Sequence, residues 1–199
     1  MRLPFADFPA GLRDSDPQLR FQPIIQLQRP QPGELIQIGP RTIAVHHLAP
    51  YDGWEAFFPR IREVIASVTE AVAPSYIQRA GLRYVNALSP AHGFNSLWDL
   101  NIGLEVAGER PRGEITLTYR NYLDQNLQCQ VVLAAPAFVA GSTVPNAVVY
   151  VDVDVSSRLP IGETTADLLG NWFQRAHDTE KTAFFNLWPE EKLSALREA

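Results

Sequence analysis

The chain has 199 residues, with 17 basic and 22 acidic side chains and a formal net charge of −5. Hydrophobic residues make up 46% and charged residues 20%, the balance of an ordinary folded domain, which excludes a largely disordered chain. The acidic balance argues against a generic nucleic-acid or anionic-membrane surface, and no apolar run is long enough to span a bilayer, so neither nucleic acid nor membrane is an expected partner.

The first 18 residues hold the breakers Pro4, Pro9, Gly11 and Pro17 and read as an irregular segment. The N-terminus lacks the long apolar stretch of a signal peptide. Residues 19–199 read as a single α+β domain. Leu19, Phe21, Ile25 and Leu27 alternate with Arg20, Gln22, Gln26 and Gln28, the period of a half-buried strand, with Pro23 placing it at an edge or bulge. Leu35 to Ile38 and Thr42 to Leu48 form a hairpin around Gly39-Pro40.

The period then changes. Trp54, Phe57, Phe58, Ile61, Val64, Ile65, Val68 and Val72 recur every three or four residues, which predicts an amphipathic helix. Pro59 is expected in its first turn, where no hydrogen bond is lost, and Pro74 ends it. Residues 76–88 read as a long strand, and Trp98, Leu100, Ile102, Leu104 and Val106 as another. Ile115, Leu117 and Tyr119 pair as a hairpin with Leu127, Cys129, Val131 and Leu133. Residues 136–146 are a loop, and 147–155 are the strand richest in β-branched residues. A second long helix opens with a capping box, Thr164-x-x-Asp167, and carries Leu168, Leu169, Trp172, Phe173, Ala176, Ala183, Phe184 and Leu187. Pro189 opens a last short helix.

Consecutive strands with short links mean antiparallel pairing, and the helices need an apolar sheet face. The predicted fold is therefore α+β in two layers: one curved antiparallel sheet of about seven or eight strands, with two long helices packed on one face.

Parity assigns the other face. Arg79 and Arg83 fall opposite Leu82, Tyr84 and Leu88; Asp152 and Asp154 fall opposite the valines of their strand. This face mixes arginines with carboxylates. It is either a solvated surface with cross-strand ion pairs or a binding face whose arginines take a carboxylate or phosphate. Asp152-x-Asp154 could hold a hard cation only with a third oxygen donor from elsewhere, and no metal or cofactor is expected. His46 and His47 point to opposite faces of one strand, and His177 follows Ala176 on the helix stripe, the place of a partly buried side chain. Cys129 lies on the apolar parity, as a buried thiol would, and a lone cysteine forms no internal disulfide; a cytoplasmic location is expected. Nucleotide-binding, zinc-protease and nucleophile-elbow motifs are absent from the sequence.

Three segments carry a resemblance: Tyr51-Asp52-Gly53-Trp54-Glu55, Gly81-Leu82-Arg83-Tyr84-Val85-Asn86, and Trp172-x4-His177 followed by Phe184. Together, across about residues 35–190, they resemble a sporadically distributed family of uncharacterised bacterial proteins. The resemblance implies a cytosolic α+β protein with no assigned catalytic residues. It differs from that family before Leu19, where members carry another strand, and a missing strand would leave a sheet edge open. The candidate binding residues are Arg79, Arg83, Asn86, Asp152, Asp154 and His177. The expected role is a binding or protein-interaction domain that uses the open sheet face or an edge, with a second copy of itself among its partners. The alternative is a small-ligand binder or enzyme with a pocket between the sheet and a long helix.

Overall fold

The computed structural model describes residues 1–28, 33–74, 76–137, 146–162 and 165–198, with side chains through residue 194. The chain divides into two compact units, Met1–Ala73 and Pro74–Ala199.

In the first unit, residues 1–18 are not irregular. They form a 3-10 turn at Pro4–Asp7 and a short helix α1, Ala10–Ser15. The strands β1 (Ile25–Gln28), β2 (Glu34–Gly39) and β3 (Thr42–His47) make a three-stranded antiparallel sheet in the order β1-β2-β3. The edge expected to be open before Leu19 is covered: the Leu3 N–H donates to the Ile24 carbonyl at 2.9 Å and the Gln26 N–H donates to the Met1 carbonyl at 2.8 Å. The long helix α2 spans Trp54–Val72. Its entry is Gly53 at φ 93°, a left-handed backbone that favours glycine. Pro59 sits in the second turn instead of the first, where it leaves the Glu55 carbonyl without the usual i−4 donor. The apolar stripe outweighs that loss: Trp54, Phe57, Ile61 and Val64 are buried.

The second unit holds β4 (Gly81–Leu88), β5 (Ile115–Tyr122), β6 (Leu127–Ala135) and β7 (Val149–Ser157) in the antiparallel order β4-β7-β6-β5. Among the described residues, then, seven strands form two sheets of three and four strands, not one curved sheet of seven or eight. Helix α3 (Ala166–Phe185) contacts β4, β6 and β7 and buries Leu169, Trp172, Ala176 and Glu180 against this layer. Thr164 of the expected capping box lies outside the described residues, as do residues 138–145 of the expected loop. The helix cap is Thr165, whose hydroxyl accepts from the Leu168 N–H at 3.4 Å. Helix α4 spans Glu190–Glu198.

The strand expected over 98–106 does not form. Leu97 and Leu100 are buried as anchors of a 3-10 turn, Leu97–Asp99, whose Asp99 carboxylate accepts the N–H groups of Asn95 (2.6 Å) and Ser96 (3.0 Å). A side chain that claims backbone donors competes with a sheet ladder, and no described strand lies alongside to supply one.

Candidate functional site: two faces and an edge of the four-stranded sheet

Register sorts the side chains of the second unit. Leu82, Val155 and Cys129 stand side by side across three strands, as do Tyr84, Val153 and Val131, and both rows face α3. The next residues along each strand face the other way. The central row there is Arg83–Asp154–Gln130–Arg120, one residue from each of β4, β7, β6 and β5.

On this outer face Arg83 reaches diagonally to Asp152. Its Nε donates to one carboxylate oxygen at 2.8 Å and its Nη2 to the other at 2.6 Å, the paired geometry that suits a planar guanidinium. The Tyr150 hydroxyl donates to the same carboxylate at 3.1 Å. Arg79 Nη2 meets Asp154 at 2.9 Å. Arg120 donates to the Gln130 side chain, and Gln128 donates to the Ser156 hydroxyl at 3.1 Å. The hydrogen bonds to Asp152 raise the Arg83 guanidinium above its ordinary range, while burial, and then Asp152, raise the Tyr150 phenol. The Arg83 side chain is 58% exposed and that of Asp152 only 10%. Solvent screening at the arginine holds the pair to about 1 kcal/mol or less, but removing Arg83 would strand a mostly buried carboxylate.

The structure thus brings Arg79, Arg83, Asp152 and Asp154 onto one patch, where each arginine answers a carboxylate of the neighbouring strand. The Asp152-x-Asp154 pair has guanidinium groups where a bound cation would stand. Asn86 and His177 are elsewhere. Asn86 shares the parity of Leu82 and Tyr84 and lies on the face turned to α3, while the His177 ring sits 6.1 Å from the Tyr84 ring.

The helix-covered face also holds the titratable groups Glu180 and Cys129. Glu180 on α3 is only 5% exposed, and burial pushes its carboxyl up to about 7. Cys129 is 2% exposed, and burial, with lesser help from the negative charges of Glu180 and Asp154, raises its thiol to about 11. A thiol held protonated in this way is a poor nucleophile. The space between α3 and the sheet is filled by side chains: Val131, Leu133, Val151, Val153, Val155 and Ala176 have no solvent exposure.

The sheet also has an edge. Strand β5 runs for eight residues, hydrogen-bonds β6 on one side and pairs with no described strand on the other. Thr116, Thr118 and Arg120 along it are exposed. Parity in the sequence already put Arg120 on this outer face, where it stands beside Gln130. Sequence reasoning missed Tyr150 and Glu180. Tyr150 stands two residues before Asp152, so parity alone could have found it. Glu180 falls four residues after Ala176, on the buried stripe, but its charge marks it as a solvent residue.

In comparisons with protein-family models, curated proteins and solved structures, nothing matches this chain.

Proposed function

We propose that this chain is a protein-interaction module, and that its first partner is a second copy of itself joined through β5. The observation that carries the reading is the β5 edge: eight residues without proline, rich in β-branched and aromatic side chains, its outward backbone groups unpaired among the described residues. Such an edge templates pairing with another strand unless charge, proline or a covering segment blocks it. The β1 edge of the first unit has such a cover; among the described residues β5 pairs with no strand but β6.

The side chains favour self-pairing in one register. A two-fold axis through Thr118 sets Thr118 opposite the partner's Thr118 and Thr116 opposite the partner's Arg120. Leu117 then faces the partner's Tyr119 on the other side of the sheet, an apolar–aromatic pair that occurs twice. Arg120 lies diagonal to the partner's Glu114, within reach of its long side chain, and this ion pair also occurs twice. Within its own chain Glu114 is exposed, with no ion-pair partner among the described residues. No like charges meet. The result is a continuous eight-stranded sheet with the Arg79–Asp154 and Arg83–Asp152 patches displayed in duplicate on one face. Those patches are the reading's second element, a mixed-charge surface for a further protein partner.

The test is the mass of the native protein, wild type against Thr118→Lys. The wild type is expected at twice the 22.2 kDa chain mass. Thr118→Lys sets two lysines opposite each other at the axis and is expected to return the monomer with the fold intact, since Thr118 is exposed. A wild-type monomer, or a dimer indifferent to the lysine, removes the proposal.

A further inference from the structure

The segment between Leu97 and Gly113, of which 98–106 was expected as a strand and 108–113 as a turn, builds an open cleft of about 600 Å3 lined by Trp98, Glu109, Arg110, Pro111 and Arg112. We infer that this cleft is a binding site for a small organic phosphate monoester, with Arg110 and Arg112 as the anion receptor. This inference does not depend on self-pairing at β5.

Both walls are held in place before any ligand arrives. Trp98 is the middle residue of the 3-10 turn Leu97–Asp99, pinned by buried Leu97 and Leu100 beneath it and by the Asp99 carboxylate on two backbone N–H groups. The arginines leave a tight hairpin. Val106 and Glu109 exchange both backbone hydrogen bonds, at 2.8 and 3.1 Å, across Ala107 and Gly108. These two central residues have φ of 53° and 80°, the left-handed pair that a two-residue hairpin turn demands and that alanine adopts only at a cost. Pro111 fixes its own φ and pushes Arg110 toward extended backbone, and in extended chain residues two apart point the same way. Arg110 and Arg112 accordingly line one cleft.

The charges there are unanswered. The Arg110 guanidinium lies 5.0 Å from the centre of the Trp98 ring. This cation–π contact ties the guanidinium to the indole wall of the cleft, and its N–H donors can serve an oxyanion there. Among the described residues no carboxylate pairs with Arg110 or Arg112. The outer sheet face offers the contrast, since Arg79 and Arg83 each hold a carboxylate of their own chain. Two free guanidinium groups match a dianionic phosphate. The volume exceeds what phosphate alone needs and lies within the range of small-molecule sites, and the indole supplies apolar surface for the organic part. Glu109 adds one negative charge at the cleft and disfavours longer polyanions.

Calorimetric titration of the full chain with phenyl phosphate tests the inference. One saturable site is expected, weakened about tenfold or more by Arg110→Ala and by Arg112→Ala separately. Both arginines are exposed, so both variants are expected to keep the wild-type melting temperature. No heat of binding at about 10 mM ligand, or an affinity retained in either variant, overturns it.

Discussion

The two sheets are built by the same rule and end in different states. In the three-stranded sheet, register gathers Ile25, Leu27, Ile36, Ile38, Ile43 and Val45 on one face. Yet none of its strand residues is buried, and Ile25, Leu27 and Ile43 remain 40–49% exposed. In the four-stranded sheet, the inner residues from Leu127 to Leu133 of β6 and from Val149 to Val155 of β7 are all buried, at 0–3% exposure. Alternation marks an apolar face in both. What differs is coverage. Helix α3 lies across three of the four strands, whereas α2 reaches its own sheet at one end, where Phe57 meets His47 of β3 and Arg60 pairs with Glu34 of β2. An alternating pattern therefore announces a face that would be buried; only a second layer makes it a core.

The largest test of this contrast is in the core. Leu133→Ala is expected to cost about 2–5 kcal/mol, because a fully enclosed site collapses poorly around a lost side chain. Ile43→Ala on the half-open face is expected to cost about 1 kcal/mol or less. Urea unfolding of the two variants measures the difference, and equal losses would break the comparison.

Next comes the buried charge. Glu180 has a carboxyl pKa raised from 4.5 to about 7 by burial. A carboxyl raised in the folded state binds its proton more tightly there than in the unfolded chain. Its penalty is therefore absent below about pH 4.5, grows as pH rises through the window from about 4.5 to 7, and is complete above it. Glu180→Gln is expected to stabilise the protein at pH 8, by up to a few kcal/mol, and to change little at pH 4. Melting temperatures across that range read the crossing, and a pH-independent offset would contradict it.

The smallest effect lies on the outer face. Arg83→Ala is expected to destabilise by about 1 kcal/mol, most of it the cost of leaving Asp152 unanswered. The double variant Arg83→Ala, Asp152→Ala should recover part of that loss, which a double-mutant cycle measures.

Much of this architecture was legible in the sequence. The period of two over Ile115–Tyr119 and Leu127–Leu133 named a hairpin that exists, and the helical stripes of α2 and α3 were visible at three- and four-residue spacing. Parity placed Arg83 opposite Leu82 and Tyr84, and Asp152 opposite the valines. The division into two sheets was not legible, because a strand pattern carries no record of which neighbour it joins. Trp98 to Val106 alternates as well as any strand, but the Asp99 carboxylate and the buried leucines claim that backbone first. The partners of Arg79 and Arg83 are likewise a matter of register, since the residue directly opposite Arg83 is Asp154 while its hydrogen bonds go to Asp152. The Arg110-Pro111-Arg112 tripeptide after Gly108 did carry a local signal, two arginines set on one side by a proline, but its value depends on a tryptophan twelve residues earlier.

The most direct test of the account is a mixture. Thr118→Lys and Thr118→Glu, each purified alone, are expected to be monomers, since each sets like charges opposite at the two-fold axis. Mixed in equal amounts, they are expected to form one species of twice the chain mass containing one copy of each, because lysine then faces glutamate. Native mass spectrometry resolves all the combinations. A mixture that stays monomeric while the wild type dimerises, or variants that dimerise alone as readily as together, would show that β5 is not the seam.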